Sequence, residues 1–148
     1  MQFLLCLLTA ANLIFGYTEE EVDIIARVVM SEASILNQEA KQAVAEVVVN
    51  RAEYYGETIA ETVSRGLSTS DNGTPDSTCY EAVYAALQYN AYPDDLLYFR
   101  TDYPHSFATH YMTIGNTYFS TIKDYESLIA NAKYDPWDGL IKEAYYVY

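Results

Sequence analysis

Positive charge is scarce in this chain: 8 Lys and Arg stand against 21 Asp and Glu, for a formal net charge of −13. A surface this acidic repels phosphate backbones and anionic headgroups, which argues against nucleic acid and against passive docking on membranes. Cysteine is limited to Cys6 and Cys79, far apart in sequence, so there is neither a disulfide framework nor a repeated Cys-x-x-Cys metal spacing. The two histidines, His105 and His110, belong to no His-Glu-x-x-His motif, and no resident metal or cofactor is expected. A Gly-x-Ser-x-Gly elbow and a glycine-rich phosphate loop are also missing, which removes the serine-hydrolase and nucleotide-dependent readings. The apolar run Met1 to Gly16 falls short of the ~20 residues of a membrane span, so no stable span is expected. Its length suits a signal-peptide core and Thr9-Ala10-Ala11 supplies small residues for cleavage, yet no Lys or Arg precedes it. A secretion signal and a retained buried helix both fit.

What is present is apolar and aromatic. Hydrophobic residues make up 51% and charged residues 20% of 148, a composition that folds rather than stays disordered, at a length suited to one domain. Tyrosine is over-represented, with 16 residues beside one Trp and five Phe. Its flat apolar face and polar tip suit grooves that hold sugars or peptides, and equally suit core and rim packing.

Thr18-Glu19-Glu20-Glu21 is a capping box that starts a helix, with acids complementing the positive end of its dipole. Val22, Ile25, Ala26, Val29 and Ala33 form one stripe, and Ile24, Val28 and Met30 make most of the remaining circumference apolar, as in a helix surrounded by protein. Asn37 caps a second helix over residues 38–54, with Ala40, Ala43, Val44, Val47 and Val48 inside, Lys41, Glu46 and Glu53 outside, and Asn50 at the apolar border. A short helix over 59–65 stops at Gly66, a polar loop runs from Leu67 to Pro75, and Asp76 opens a fourth helix. Leu96 to Phe99, Tyr111 to Ile114 and Thr117 to Phe119 favour strands, the last two flanking Gly115-Asn116. Residues 124–133 and 140–148 read as helices around the breaker Asp135-Pro136-Trp137-Asp138-Gly139. The expected fold class is α+β: one helix-rich domain with a small antiparallel sheet.

Glu32 lies one turn beyond Val28, beside the buried stripe of the first helix. An acid placed there requires a reason. A structural ion pair, with Arg27 or Arg51, is one; proton donation to a glycosidic oxygen from a carboxyl group in apolar surroundings is another.

The segment Ala26-Arg27-Val28-Val29-Met30-Ser31-Glu32-Ala33, followed by Gln42-Ala43-Val44-Ala45-Glu46-Val47-Val48-Val49-Asn50-Arg51, resembles the core of the SleB/CwlJ-type cell wall hydrolases, which include spore cortex-lytic enzymes and phage and gut-bacterial proteins. Leu96-Leu97-Tyr98-Phe99 is similar to the family's apolar-apolar-Tyr-Phe strand, and Ile114-Gly115-Asn116-Thr117-Tyr118-Phe119 to its Ile-Gly-Asn-His-x-Phe ending. His105-Ser106-Phe107 resembles a His-x-Phe element of the phage and gut branch. Two departures stand out: Thr117 takes the place of the usual His, and Gly66-Leu67-Ser68-Thr69-Ser70-Asp71 stands where many members have a Gln-Phe-Ser-like loop.

The resemblance covers residues 17–121. It implies a lysozyme-like (lytic-transglycosylase-like) catalytic domain; the apolar segment 1–16 and the tail 122–148, read as a helical extension that covers the core, lie outside it. The implied activity is cleavage of the MurNAc-GlcNAc β-1,4 bond of peptidoglycan glycan strands, as a secreted or particle-delivered monomer acting at the cell wall. Glu32 is then the catalytic acid and subsequently the base, giving 1,6-anhydro-muramic ends, while Tyr98, His105, Asn116 and Tyr118 are the candidate sugar-groove residues. The runner-up is a catalytically weak or dead relative that binds glycan, such as a virion or spore-coat component.

Overall fold

A computed structural model of the chain describes residues 13–69 and 73–122. Most of the apolar N-terminal run, Cys6 and the two helices expected after residue 122 lie outside the described residues. Four helices precede a three-stranded antiparallel sheet: α1 (Glu19–Ala33), α2 (Gln38–Tyr55), α3 (Ile59–Ser64), α4 (Ser77–Tyr89), β1 (Leu96–Thr101), β2 (Thr109–Ile114) and β3 (Thr117–Thr121). This is a small α+β domain, as the sequence pattern leads one to expect. Among the described residues no helix is long and apolar enough to cross a membrane.

The helix boundaries follow from capping chemistry. Thr18 and Glu21 form the reciprocal box at the start of α1, and Thr58 and Glu61 form a second at α3. Asn37 caps α2 through Ala40 N–H, and Asp76 caps α4 through the N–H groups of Thr78 and Cys79. Gly56 ends α2 at φ 67, a left-handed conformation that suits glycine.

Helix α2 is the hub, packed against α1, α3, α4 and β1. Ala40, Ala43, Val44, Ala45, Val47 and Val48 are all buried, and small side chains let the neighbouring helices approach closely around them. In the sheet β3 lies between β1 and β2. The register sets Phe99 and Met112 opposite Phe119, which puts these three apolar side chains on one line against the helical core.

Two charged residues depart from the sequence reading. Lys41 and Glu46, expected on the outer face of α2, are buried, Glu46 with 1% exposure. Lys41 Nζ donates to Thr78 Oγ1 (2.8 Å), tying α2 to the start of α4. Glu46 accepts from Tyr92 N–H (2.9 Å) and from Gln42 Nε2 (3.1 Å), and Ala91 N–H also donates to it. The segment entering β1 therefore supplies the partners that bring this acid inside, and Asn50 holds the same segment by donating its amide to the carbonyls of Pro93 (3.1 Å) and Leu96 (3.2 Å). Glu53 is exposed, as expected.

Burial raises the Glu46 carboxyl above its ordinary value against the lowering effect of its hydrogen bonds. A raised folded-state value means that this group's stabilisation is complete below the unfolded-state value and is lost as pH rises through the folded one. Glu46→Gln keeps an acceptor for the backbone donors and removes the ionisation, so its stability relative to wild type should improve between pH 4 and pH 8. Glu46→Ala strands the donors and should cost about 1–3 kcal/mol at either pH. Chemical denaturation of the three proteins at both pH values measures this; equal losses for Glu46→Gln at pH 4 and pH 8 would contradict it.

Candidate active site

Glu32 stands on the last turn of α1, half-buried next to the fully buried Ala33. Its Oε1 accepts the backbone N–H of Ser68 (3.0 Å), and the hydroxyls of Ser31 and Ser68 are hydrogen-bonded to each other (2.6 Å). One loop residue thus grips two consecutive residues of α1. The loop leaves α3 through Gly66, at φ 134, with Leu67 N–H on the Val63 carbonyl (3.2 Å). Glu57 fixes this end of α3 by pairing with Arg65 (2.8 Å) and accepting from Thr62 Oγ1 (3.1 Å). Among the described residues Glu32 Oε2 accepts no hydrogen bond.

Glu32 lines a cleft of about 180 Å³ together with Arg51, Gly66, Leu67, Phe99 and His105. It is the one carboxylate among these residues. Arg51 is anchored by donating Nε–H to the Leu97 carbonyl (2.7 Å), with its guanidinium carbon 5.8 Å from the centre of the Tyr98 ring. Arg27, the other ion-pair candidate for Glu32, is instead bound to Asp23 (2.8 Å), which also accepts from the Tyr80 hydroxyl (2.6 Å). Those two bonds hold the Asp23 carboxyl below its ordinary value, the Tyr80 bond contributing most.

Of the four expected groove residues, His105 lines the cleft. Tyr98 does not: with 1% exposure it lies beneath, edge-on to the rings of His105 (5.6 Å) and Phe107 (5.2 Å) and hydrogen-bonded through its hydroxyl to Tyr55. Burial raises its phenol far above the ordinary value, so it is a neutral donor. Its ring lies against that of His105, and with Leu96, Leu97 and Tyr98 all buried β1 is covered on both faces at this point. Asn116 and Tyr118 are not among the cleft residues. Asn116 closes the sheet's end, its carbonyl accepting Asp102 N–H (2.8 Å), and Tyr118 lies between Arg100 and Thr113 in register, its ring 5.6 Å from that of His110.

The sequence reading missed Phe99, Leu67 and Ser68 as parts of the site and weighed Arg51 only as an ion-pair partner. Arg51 carried a usable signal, since it falls one turn after Val47 and Val48 on the inner stripe of α2. Ser68 reaches Glu32 through its backbone N–H, which leaves no trace in side-chain type. Among the described residues no group of three or more His, Cys, Asp or Glu side chains is placed to hold a metal ion.

Tyr98→Ala removes a buried ring and should destabilise the fold by about 3–5 kcal/mol. His105→Ala, at a half-exposed position, should cost about 1 kcal/mol or less. Thermal melts separate the two; similar losses for both would place His105 in the core and not on the cleft wall.

Comparison with protein-family models, with curated proteins and with solved structures gave no match for this chain.

Proposed function

We propose that the chain cleaves the β-1,4 bond between MurNAc and GlcNAc in peptidoglycan glycan strands, as a lytic transglycosylase of lysozyme-like fold. The observation that carries this reading is that, among the described residues, the cleft is lined by one carboxylate, held at one oxygen and without a protein partner at the other. A hydrolytic glycosidase ordinarily needs a second carboxylate, as nucleophile or as base for water. A lytic transglycosylase needs one. Protonated Glu32 donates its proton to the glycosidic oxygen as the bond from C1 breaks. The resulting carboxylate takes the proton of the C6 hydroxyl while O6 bonds to C1, closing the 1,6-anhydro ring without consuming water.

The residues around Glu32 suit this sequence of steps. The Ser68 N–H holds Oε1, which leaves Oε2 to donate the proton and take it back. The Phe99 and His105 rings border the cleft beside Glu32 and offer apolar faces to a sugar.

Products released from purified peptidoglycan should carry 1,6-anhydro-muramic ends when read by mass spectrometry. Reducing muramic ends alone would mean that water attacks and that another carboxylate takes part. Glu32→Asp withdraws the carboxylate by one methylene from both Ser68 and the substrate, and should lower kcat on the order of 100-fold while the protein remains folded.

A further inference from the structure

A second cavity, of about 190 Å³, opens on another side of α2, lined by Phe15, Tyr17, Asn50, Glu53, Leu87 and Asn90 among others. Its first peculiarity is backbone strain. Ile14 and Tyr17 are bridged by two backbone hydrogen bonds across the turn Phe15-Gly16, in which Phe15 takes φ 50 and Gly16 φ 89. Glycine accepts this conformation readily; a phenylalanine does so against its Cβ sterics, and asparagine is the side chain such turns favour. Burial does not offset that strain, because Phe15 is 53% exposed. Strain of this kind at an exposed aromatic on a cavity rim directs attention to a ligand.

The second peculiarity is an excess of acceptors. Asn50 is 3% exposed and commits its amide N–H groups to Pro93 and Leu96, while among the described residues its Oδ1 accepts no hydrogen bond. The Tyr17 hydroxyl donates to Glu53 Oε1 (3.4 Å), and Glu53 has no basic partner among the described residues. Asn90, at φ 42 on the end of α4, adds a side-chain amide that donates to Asp94 (3.2 Å). No Lys or Arg is among the lining residues. The cavity therefore combines one unpaired carboxylate, amide oxygens and two aromatic rings in a protein of net charge −13. That combination rejects anions and favours a cation carrying several N–H donors.

We infer that this cavity binds a primary ammonium group, with the Glu53 carboxylate and Asn50 Oδ1 as acceptors and the Phe15 and Tyr17 rings as its aromatic wall. The group can be carried by the side chain of a basic amino acid in a peptide or by a free amino sugar. Burial, reinforced by the Glu53 charge, holds the Tyr17 phenol above its ordinary value, so Tyr17 stays a neutral donor to Glu53 when the ligand arrives. This site is separate from the Glu32 cleft and does not rest on the proposed reaction.

The test uses the full chain titrated with Nα-acetyl-lysine methylamide, with glucosamine and with N-acetylglucosamine, followed by NMR shifts of the Asn50 and Asn90 side-chain amides. Saturable binding of either amine, weakened by added salt and absent for N-acetylglucosamine, is the expected result; which amine binds identifies its source as peptide or sugar. Glu53→Gln should weaken binding about tenfold or more. Phe15→Asn should weaken it too while raising the melting temperature, since the turn strain is relieved and the aromatic wall lost. Glu32→Gln should leave it unchanged. Equal binding of N-acetylglucosamine, no binding of either amine, or binding indifferent to both Glu53→Gln and Phe15→Asn would overturn the assignment.

Discussion

The structure depends on a polar clamp between α2 and the chain entering the sheet. Glu46 and, one turn later, Asn50 and Arg51 on a buried helix take hold of Tyr92 N–H, the Pro93 and Leu96 carbonyls, and the Leu97 carbonyl in turn. Buried backbone groups that would otherwise be stranded find partners, and buried polar side chains find the bonds that make their burial tolerable. The clamp fixes where β1 begins, and β1 orders the sheet because it pairs with the central β3. Phe99 and the segment bearing His105 come to the cleft as a consequence.

The cleft itself is assembled from four places along the chain: the end of α1, Arg51 of α2, the loop after α3, and β1 with the segment that follows it. Each is locked by its own chemistry. Ser68 ties the loop to Ser31 and Glu32, Glu57 stiffens the helix before it, and the Tyr98, His105 and Phe107 rings pack edge-on or tilted at 4.8–5.6 Å. A carboxylate carried on a buried helix end and held by a backbone donor is preorganised, which is the condition under which one acid can serve two proton transfers. Of the five basic side chains among the described residues, Arg27 and Arg65 are paired with acids, Lys41 and Arg51 are buried in internal bonds, and Arg100 lies on the Tyr103 ring at 4.0 Å. Among the described residues the surface field is thus left to the carboxylates, and under the proposed function contact with a wall polymer would come from hydrogen bonds and ring faces rather than charge attraction.

Local chemistry made the helices and strands legible. Thr18, Asn37 and Asp76 announce their helices because capping is decided within four residues, and Gly115-Asn116 marks the β2–β3 turn for the same reason. Strand order was not legible, since β3 lies between its partners through contacts that no local pattern encodes. Lys41 and Glu46 were read as solvent-facing by charge, whereas Thr78 and Tyr92, the partners that bring them inside, are distant in sequence. Of the cleft residues, Glu32 stands out in the sequence as an acid against an apolar stripe and His105 as a polar ring beyond a strand. The burial of Tyr98 was not legible, because a tyrosine in a strand gives no sign of which end is covered.

The central claim is that Glu32 is present for chemistry and not for stability. Its one protein hydrogen bond among the described residues comes from a backbone N–H that an amide oxygen can equally accept. The most direct measurement is therefore turnover of purified peptidoglycan by Glu32→Gln beside a thermal melt of the same preparation. The account predicts loss of nearly all product with the melting temperature within a few degrees of wild type. Retained turnover, or a collapse of the fold that accompanies its loss, would contradict it.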